Sequence, residues 1–388
     1  MTETSMSWKL FMRKAAYGAL FAATSALAGA PAAAADIKVG FFGPMSGPVA
    51  VYGTESLAGA QFALDEISAS GMLGKDKIKL VVADDMANPG AAAQAVQRMI
   101  DVDEVVAIIG GSTSSGTAAA IEVTRAAKIP QLSPLAVDPA LTKQGNPWFA
   151  RITQSADAFA TAAAQWTLDK HKAKSAYLLV RNDNWGVPLA DAYEKKAKEL
   201  GINIAGRVLY EPTAREFKPM LSQMASTNPD LVVVMGYYTE SGLIVKQMAE
   251  LNINKRAFVM TAPGIPQYLD IAGPAASGTY GVLYYYAGSI KTPAAEKFVK
   301  NWQAKFKRMP SQYEGMGYDS VYVMAEAIKK AQAKGKVTPQ NIRDAIFETK
   351  NYAGATGDIT ILASGDSKRP LPFVTLEGKE LKLDYLVE

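Results

Sequence analysis

Short apolar runs alternate along the chain with longer segments whose apolar residues recur at helical spacing. The run at 37–42 precedes segment 54–67, in which Leu57, Leu64 and Ile67 share one face of a helix. Further strands are predicted at 78–83, 105–109 and 129–134, with a helix after each of the first two. Strands that alternate with helices predict βαβ units, and therefore a mostly parallel sheet with helices on both faces.

The same rhythm restarts after residue 153 and predicts a second α/β unit. Its predicted strands are 176–180, 202–210, 230–236 and 256–260, and its helices lie near 156–169, 188–200, 216–226 and 241–251. Residues 293–349 are predicted to be mainly helical, and 358–362 and 371–388 alternate like antiparallel strands. Two units of similar size predict two lobes with a ligand cleft between them, at the carboxyl ends of the strands.

Composition narrows the class of partner. The 388 residues are 49% hydrophobic, enough for two cores, and the 41 basic and 37 acidic residues are dispersed, which argues against nucleic acid. The absence of cysteine excludes disulfides, cysteine-ligated metals and a lipid-modified cysteine. The one histidine, His171, is predicted at a solvated helix end. We therefore expect neither a metal nor a cofactor.

Residues 1–35 have the pattern of a secretory signal peptide. Lys9, Arg13 and Lys14 precede an alanine-rich apolar stretch and then small residues suited to cleavage near Ala35 or Asp36. An uncleaved membrane anchor is the less favoured interpretation, because the stretch is short and rich in alanine. We expect an exported protein without a lipid anchor, located in a Gram-negative periplasm.

The segment 107–122 is the first candidate site. An apolar run and two glycines lead to four hydroxyl residues, 112–115, at the start of a predicted helix, where free N–H groups favour anions. Helix capping alone would need one or two of them, so four favour a ligand. Aromatic or hydroxyl residues also follow the strands of the second unit; they are Trp185, Tyr237, Tyr238 and Thr261. In the run 284–286, extended backbone would point Tyr284 and Tyr286 one way and Tyr285 the other.

Several of these segments carry a family resemblance. Residues 37–53, with the specific stretch MSGPVAVYG, resemble the first strand and loop of the leucine/isoleucine/valine-binding protein family. These are type I periplasmic solute-binding proteins that feed ATP-driven importers. Residues 81–100, 107–117, 129–142 and 318–328 resemble further family segments in the family's order, over essentially the whole mature chain.

The resemblance implies an α/β fold of two doubly wound, Rossmann-like lobes with a ligand cleft and a three-segment hinge. Lobe 1 is then expected at 36–154 plus 284–362, and lobe 2 at 155–283 plus 363–388. It implies a non-enzymatic, monomeric clamp that closes over a small ligand and delivers it to an ABC permease in the inner membrane.

The resemblance also assigns ligand-binding roles by position. Ser114 is expected to bind a ligand carboxylate, with Thr113 beside it, and Tyr52 to pack on the ligand from the first loop. Leu135 and Ala136 would offer backbone groups. Trp185 and Tyr237 would close over the ligand from the second lobe.

Two positions depart from the amino-acid binders of the family. Where those proteins carry a threonine and an acidic residue that bind the ligand's ammonium group, this chain has Val137 and Pro263. A buried ammonium without a carboxylate partner is costly. Asp138 and Glu240 are nearby but fit better as a turn residue and a helix N-terminal acid. The preferred ligand is therefore an aromatic or other non-amino organic acid; a branched-chain or other amino acid, or an amide, stays open.

Two other classes of function, an enzyme and a ligand sensor, compete with the transport protein. For an enzyme, the sequence has no G-x-S-x-G elbow, no phosphate-binding P-loop and no G-x-G-x-x-G at a helix start. Asp84 and Asp85 fit a turn better than an acid–base pair, since neighbours on a strand point opposite ways. We therefore predict no enzymatic activity. A periplasmic sensor that presents its ligand to a receptor would share every feature above.

Overall fold

A computed structural model describes residues 35–143 and 145–387, so the predicted signal peptide lies outside the described residues except for Ala35. Lobe 1 is built on a five-stranded, all-parallel sheet in the order β2-β1-β3-β4-β5. Its strands are β1 (Asp36–Gly43), β2 (Lys77–Asp84), β3 (Ala107–Ile109), β4 (Gln131–Ser133) and β5 (Phe149–Arg151). Its first helices are α1 (Val51–Ser70), α2 (Pro89–Asp101), α3 (Ser114–Ala127) and α4 (Ala140–Lys143).

Lobe 2 has a seven-stranded sheet in the order β15-β14-β10-β9-β8-β6-β7. Its five parallel strands are β6 (Ser175–Arg181), β7 (Asn203–Tyr210), β8 (Leu231–Met235), β9 (Arg256–Val259) and β10 (Tyr280–Val282). An antiparallel hairpin, β14 (Leu371–Glu377) and β15 (Glu380–Val387), extends the sheet beyond β10. Its helices are α5 (Ala156–His171), α6 (Gly186–Glu199), α7 (Lys218–Thr227), α8 (Tyr238–Glu250) and α9 (Pro266–Ala272), followed by a 3₁₀ turn (Gly273–Ala276).

Three more helices return the chain to lobe 1: α10 (Pro293–Phe306), α11 (Gln312–Ala333) and α12 (Pro339–Phe347). Helix α11 crosses α1 at two glycines, where a Cβ on Gly59 would lie 1.9 Å from the Glu314 carbonyl and one on Gly317 1.9 Å from the Ser56 carbonyl. Only glycine permits this close approach. It sets the first turns of the two helices side by side, which matters for the site below.

Three segments join the lobes, as the family resemblance implies. They follow β5, β10 and the small antiparallel sheet β11 (Tyr352–Gly354), β12 (Gly357–Ile361) and β13 (Ser367–Lys368). Arg369, buried in the third segment, donates to the Ile152 carbonyl in the first at 2.9 Å. The predicted bounds change lobe after residue 362, whereas β13 still pairs with β12 and the lobe 2 sheet resumes at Leu371. The exact domain bounds stay a prediction.

The hydrophobic pattern predicted the class and order of these elements, and the α/β fold of two doubly wound lobes is confirmed. One detail was wrong: His171 does end a helix, but its ring packs 4.5 Å from those of both Trp166 and Tyr280 instead of lying in solvent. Within residues 35–143 and 145–387, no helix combines the length and apolarity needed to cross a bilayer.

A sealed aromatic cavity between the lobes as candidate binding site

The cleft between the lobes encloses a small cavity at the carboxyl ends of the strands. It leaves a free space of about 10 Å³, enough for one water molecule at most. Each side chain around it is at most 8% exposed, so the cavity is closed to solvent. The lining residues are Tyr52, Ser112 and Leu135 from lobe 1, Trp185, Tyr237 and Thr261 from lobe 2, Tyr284 from the second hinge segment, and Tyr313 from α11.

The lobes are closed over this cavity, because side chains bridge them at the rim. Asn184 of lobe 2 donates to the Asp138 carboxylate at 3.3 Å and lies 3.4 Å from the Ser115 hydroxyl. Thr239 donates to the Pro48 carbonyl at 3.4 Å. These rim hydrogen bonds are 3.3–3.4 Å long and therefore weak, which suits a rim that has to reopen.

Tyr52 reaches the cavity from the first turn of α1. The loop before it is held by Asp84, whose carboxylate accepts the Met45 N–H at 2.8 Å and the Ser46 hydroxyl at 2.5 Å. Asp84 and its neighbour Asp85 thus serve turns, as predicted, with Asp85 accepting the Ala87 N–H at 2.8 Å. The loop positions Tyr52 so that its ring lies 5.3 Å from Tyr237 across the cleft.

The hydroxyl residues after β3 have different roles, and the one at the cavity is not the one predicted. Thr113 caps α3 by accepting the Gly116 N–H at 3.3 Å, and Ser114 accepts the Val137 and Asp138 N–H groups at 3.3 Å each. Neither side chain lines the cavity; Ser112 does. Ser114 therefore ties the two loops of lobe 1 together and leaves Ser112 at the cavity wall.

Two buried hydroxyl oxygens at the cavity have no hydrogen-bond partner among the described residues: Tyr52 Oη and Ser112 Oγ. Buried polar groups are nearly always paired, so an unpaired one needs an explanation. Both belong to lobe 1 and both line the cavity. A polar group of a ligand in this cavity would satisfy them.

Lobe 2 contributes rings that lie beside a buried ion-pair cluster. The rings of Trp185 and Tyr237 lie 5.1 Å apart, and the Arg181 guanidinium packs over the Tyr237 ring, 4.2 Å from its centroid. Arg181 bonds Asp183 at 2.6 Å and forms an ion pair with Glu240. Burial raises the pKa of the Glu240 carboxyl. Among the described residues, no charged side chain lines the cavity; neither Arg181 nor Glu240 belongs to its lining.

Burial also keeps the tyrosines neutral. It raises the pKa of Tyr52, Tyr237, Tyr284 and Tyr313 well above the ordinary value for a phenol. At neutral pH these hydroxyls are donors and acceptors rather than charges. Among the residues that the structure describes, no group of three or more acidic or histidine side chains is arranged to hold a metal ion.

Four of the nine residues predicted from sequence line the cavity: Tyr52, Leu135, Trp185 and Tyr237. The other five are Thr113, Ser114, Ala136, Val137 and Pro263. Ala136 uses its N–H for Ser133 and its carbonyl for Arg151, and Pro263 lines a separate groove. A ligand contact remains a prediction for all nine.

Four lining residues were not among the predicted set. Ser112 is next to Thr113 in the hydroxyl run, Thr261 follows a strand end, and Tyr284 begins the tyrosine run, so each carried a signal. Tyr284 lines the cavity while Tyr285 and Tyr286 line the separate groove, so the predicted alternation was wrong; residues 283–286 do not form a strand. Tyr313 carried no such signal in the sequence, because it reaches the cavity only through the crossing of α11 with α1.

Asp138 and Glu240 have the structural roles that were preferred for them. The Asp138 carboxylate accepts the Ala140 N–H at 2.9 Å in the turn around Pro139, and Glu240 lies in the first turn of α8. Neither residue lines the cavity. The second carboxylate oxygen of Glu240, Oε2, is buried without a hydrogen-bond partner among the described residues.

The chain is similar in sequence to known binding proteins. The sequence model of a family described as "Periplasmic binding protein" matches residues 36–380. A protein of Brucella suis biovar 1 named Leu/Ile/Val-binding protein homolog 1 is 30% identical over 384 residues, covering 97% of this chain and 100% of the relative.

Solved structures agree with the fold. LivJ of Streptococcus pneumoniae, a branched-chain amino acid transporter substrate-binding protein in complex with isoleucine, is 27% identical with a TM-score of 0.83, over 91% of this chain and 99% of LivJ. A solute-binding protein of an R. palustris ABC transporter in complex with benzoate is 21% identical with a TM-score of 0.81, over 91% of this chain and 96% of that one. The second likeness concerns the fold alone.

Proposed function

Because the chain belongs to the periplasmic binding protein family, as a substrate-binding protein of the branched-chain amino acid transporter type, we propose that its ligand is a small organic acid without an ammonium group. An aromatic acid is the preferred class. The protein would clamp this ligand between its lobes in the periplasm and deliver it to the permease of an ATP-driven importer.

The character of the sealed cavity carries this proposal. Five of its eight lining side chains are aromatic, two buried hydroxyls await a partner, and none of the eight is acidic. An ammonium group enclosed here would lose its hydration without gaining a carboxylate partner, which costs several kcal/mol. The free space of about 10 Å³ is far below the roughly 300–1,000 Å³ of pockets for drug-sized ligands, so the lobes have to part to admit even a small ligand.

The two walls suggest an orientation for the ligand. The carboxylate would face Ser112 and Tyr52 in lobe 1, close to the N-terminus of α3, whose partial positive charge favours an anion. Its apolar body would pack against Trp185 and Tyr237 in lobe 2, where offset or edge-on ring contacts each add about 0.5–1.5 kcal/mol. Hydrogen bonds to a charged carboxylate add about 1.5–3 kcal/mol each.

We propose no catalytic role for this site. Ser112 has no histidine, lysine or carboxylate beside it in the cavity wall to act as a base. The tyrosines are held neutral by burial, so they are poor nucleophiles at neutral pH. What the lining offers is shape and hydrogen bonding.

A branched-chain amino acid is the second candidate. The named relative from Brucella suis and the isoleucine complex of LivJ favour it, at 30% and 27% identity. The apolar wall around Leu135 and Trp185 would accept an aliphatic side chain. The absence of an acidic residue from the lining weighs against this candidate.

Calorimetric titration of the purified mature protein tests the proposal directly. The probes are benzoate, 4-hydroxybenzoate, L-leucine, L-isoleucine and L-valine. We expect one-to-one binding of an aromatic acid without turnover, and stabilisation of about 2.7 kcal/mol when the acid is present at 100 times its Kd. Binding of the aliphatic amino acids alone would refute the ligand class.

A further inference from the structure

We propose that Tyr313 is the end wall of the cavity and sets the maximum length of ligand that the protein accepts. The inference rests on the proposed function only in taking the sealed cavity as the ligand site. It does not depend on whether the ligand carries an ammonium group.

Two spaces meet at this side chain. An open groove with about 1340 Å³ of space, adjoining solvent included, runs between the lobes beside the sealed cavity. Of the residues that the structure describes, Tyr313 alone lines both spaces. Its ring therefore separates the enclosed space, where the proposed ligand would lie once the lobes part, from a larger groove beside it.

The groove is suited to an apolar extension of a ligand. Its walls include Leu283, Tyr285, Tyr286, Ile265 and Leu381. Tyr286 is fixed there by donating its hydroxyl to the Leu381 carbonyl at 2.9 Å. Most of this lining is aromatic or aliphatic, so a second ring or an alkyl chain would be buried favourably there.

The bulk of the Tyr313 ring, rather than its hydroxyl, forms the wall. The ring is 2% exposed and lies 5.0 Å from Tyr52 and 6.1 Å from Tyr284. Its hydroxyl donates to the Thr261 carbonyl at 3.4 Å, beyond the usual range for O–H···O bonds. Gln312 donates to the same carbonyl at 2.8 Å and so holds α11 against lobe 2 without the hydroxyl.

A longer ligand is excluded because packed side chains resist the insertion of extra atoms. Tyr313 is wedged between Tyr52 and Tyr284 on a helix that Gly59 and Gly317 lock against α1. Replacing the ring by a methyl group would open the cavity into the groove. The ligand class gained would be biaryl or long-chain carboxylates.

The test compares wild type with Tyr313→Ala by calorimetric titration on matched short and long probes. One pair is benzoate and biphenyl-4-carboxylate; the other is L-leucine and L-2-aminodecanoic acid. We expect wild type to bind the short member at least about tenfold more tightly. In Tyr313→Ala that preference should vanish or reverse, because the long member gains affinity.

Two further variants keep the inference falsifiable. Tyr313→Phe keeps the ring and should keep the wild-type preference; a loss of length selection as large as that of Tyr313→Ala would overturn the proposal. Tyr313→Leu also shortens the side chain but keeps apolar packing. It replaces Tyr313→Ala in the test if that variant does not fold, and the long probe should gain affinity in the same way.

The titrations give different results if the length-setting role of Tyr313 is wrong and if the proposed ligand class is wrong. If wild type binds leucine and not benzoate, the ligand class is wrong and length selection is measured on the amino-acid pair. If a folded Ala or Leu variant still rejects both long probes, or binds neither length, Tyr313 is not a length-setting wall.

Discussion

The two lobes present opposite kinds of surface to the ligand cavity. Lobe 1 offers Tyr52 and Ser112, whose buried hydroxyl oxygens lack a partner among the described residues. Lobe 2 offers the rings of Trp185 and Tyr237, and beside them Arg181 pairs with Asp183 and Glu240, although Glu240 Oε2 has no hydrogen-bond partner among the described residues. Lobe 1 thus keeps hydrogen-bonding capacity for a ligand, while lobe 2 uses its polar groups to brace a shaped apolar wall.

This difference predicts where mutations act. Removing an unpaired hydroxyl in lobe 1 should weaken binding and leave folding intact. Removing a paired charge in lobe 2 should weaken folding, because its partner would be left buried and alone. This difference between the lobes would be contradicted if variants in both lobes lost ligand affinity and unfolding free energy to the same extent.

The largest effect is expected for Arg181→Met. The change strands Glu240, which is 2% exposed, and should cost about 3–5 kcal/mol of unfolding free energy, measured by urea denaturation. Burial already raises the Glu240 pKa, and losing Arg181 raises it further, so the native variant takes up a proton more readily as pH falls. The loss should therefore be greater at pH 8 than at pH 5.

A second arginine of the same sheet is the control for that variant. Arg207 on β7 pairs with Asp191 and Glu194 at the surface, so Arg207→Met should cost no more than about 1 kcal/mol. Equal losses for the two variants would mean that the ion pair behind Tyr237 is not what braces lobe 2.

Trp185→Leu should have the next largest effect, on binding. It keeps an apolar side chain but loses the ring contact with Tyr237 and the flat wall for the ligand. We expect a loss of about 2 kcal/mol, near thirtyfold in Kd by calorimetric titration with the ligand identified in the binding screen. Trp148→Leu, a change outside the cavity beside Arg343, should leave Kd unchanged.

Ser112→Ala and Ser114→Ala should affect different quantities, binding and folding respectively, although the residues are only two positions apart. Ser112→Ala should weaken carboxylate binding by about 1.5–3 kcal/mol and leave the unfolding free energy of the free protein nearly unchanged. Ser114→Ala removes the acceptor of two buried N–H groups and should cost about 1–3 kcal/mol of folding.

Remote Ser226→Ala should change neither quantity. If Ser114→Ala weakens binding and Ser112→Ala does not, the family assignment of Ser114 holds, and the interpretation of the two unpaired hydroxyls is wrong.

The contrast between these serines also shows how far sequence reasoning reaches. Hydrophobic periodicity predicted both sheets, because strand and helix spacing are local properties of the chain. Motif position placed the site at the hydroxyl run. The family resemblance assigned the ligand to Ser114, whereas Ser112 lines the cavity, because the loop at Val137 occupies the Ser114 hydroxyl. Tyr313 was beyond prediction, since it reaches the cavity through a helix crossing that no local pattern encodes.

The smallest expected effect is on the pH dependence of folding stability, and it compares one buried glutamate from each lobe. Glu240 in lobe 2 has an arginine, whereas Glu55 in lobe 1 has one hydrogen bond, from Ser311 at 2.7 Å, and burial raises its pKa to about 7. An acid whose pKa is higher in the folded than in the unfolded state destabilises the fold as pH rises from about 4.5 to about 7. Glu55→Gln should remove that loss, so the variant should gain about 1–2 kcal/mol relative to wild type between pH 5 and pH 8 in urea titrations at both pH values. An unchanged pH dependence would mean that neighbouring groups compensate Glu55, as Arg181 does for Glu240.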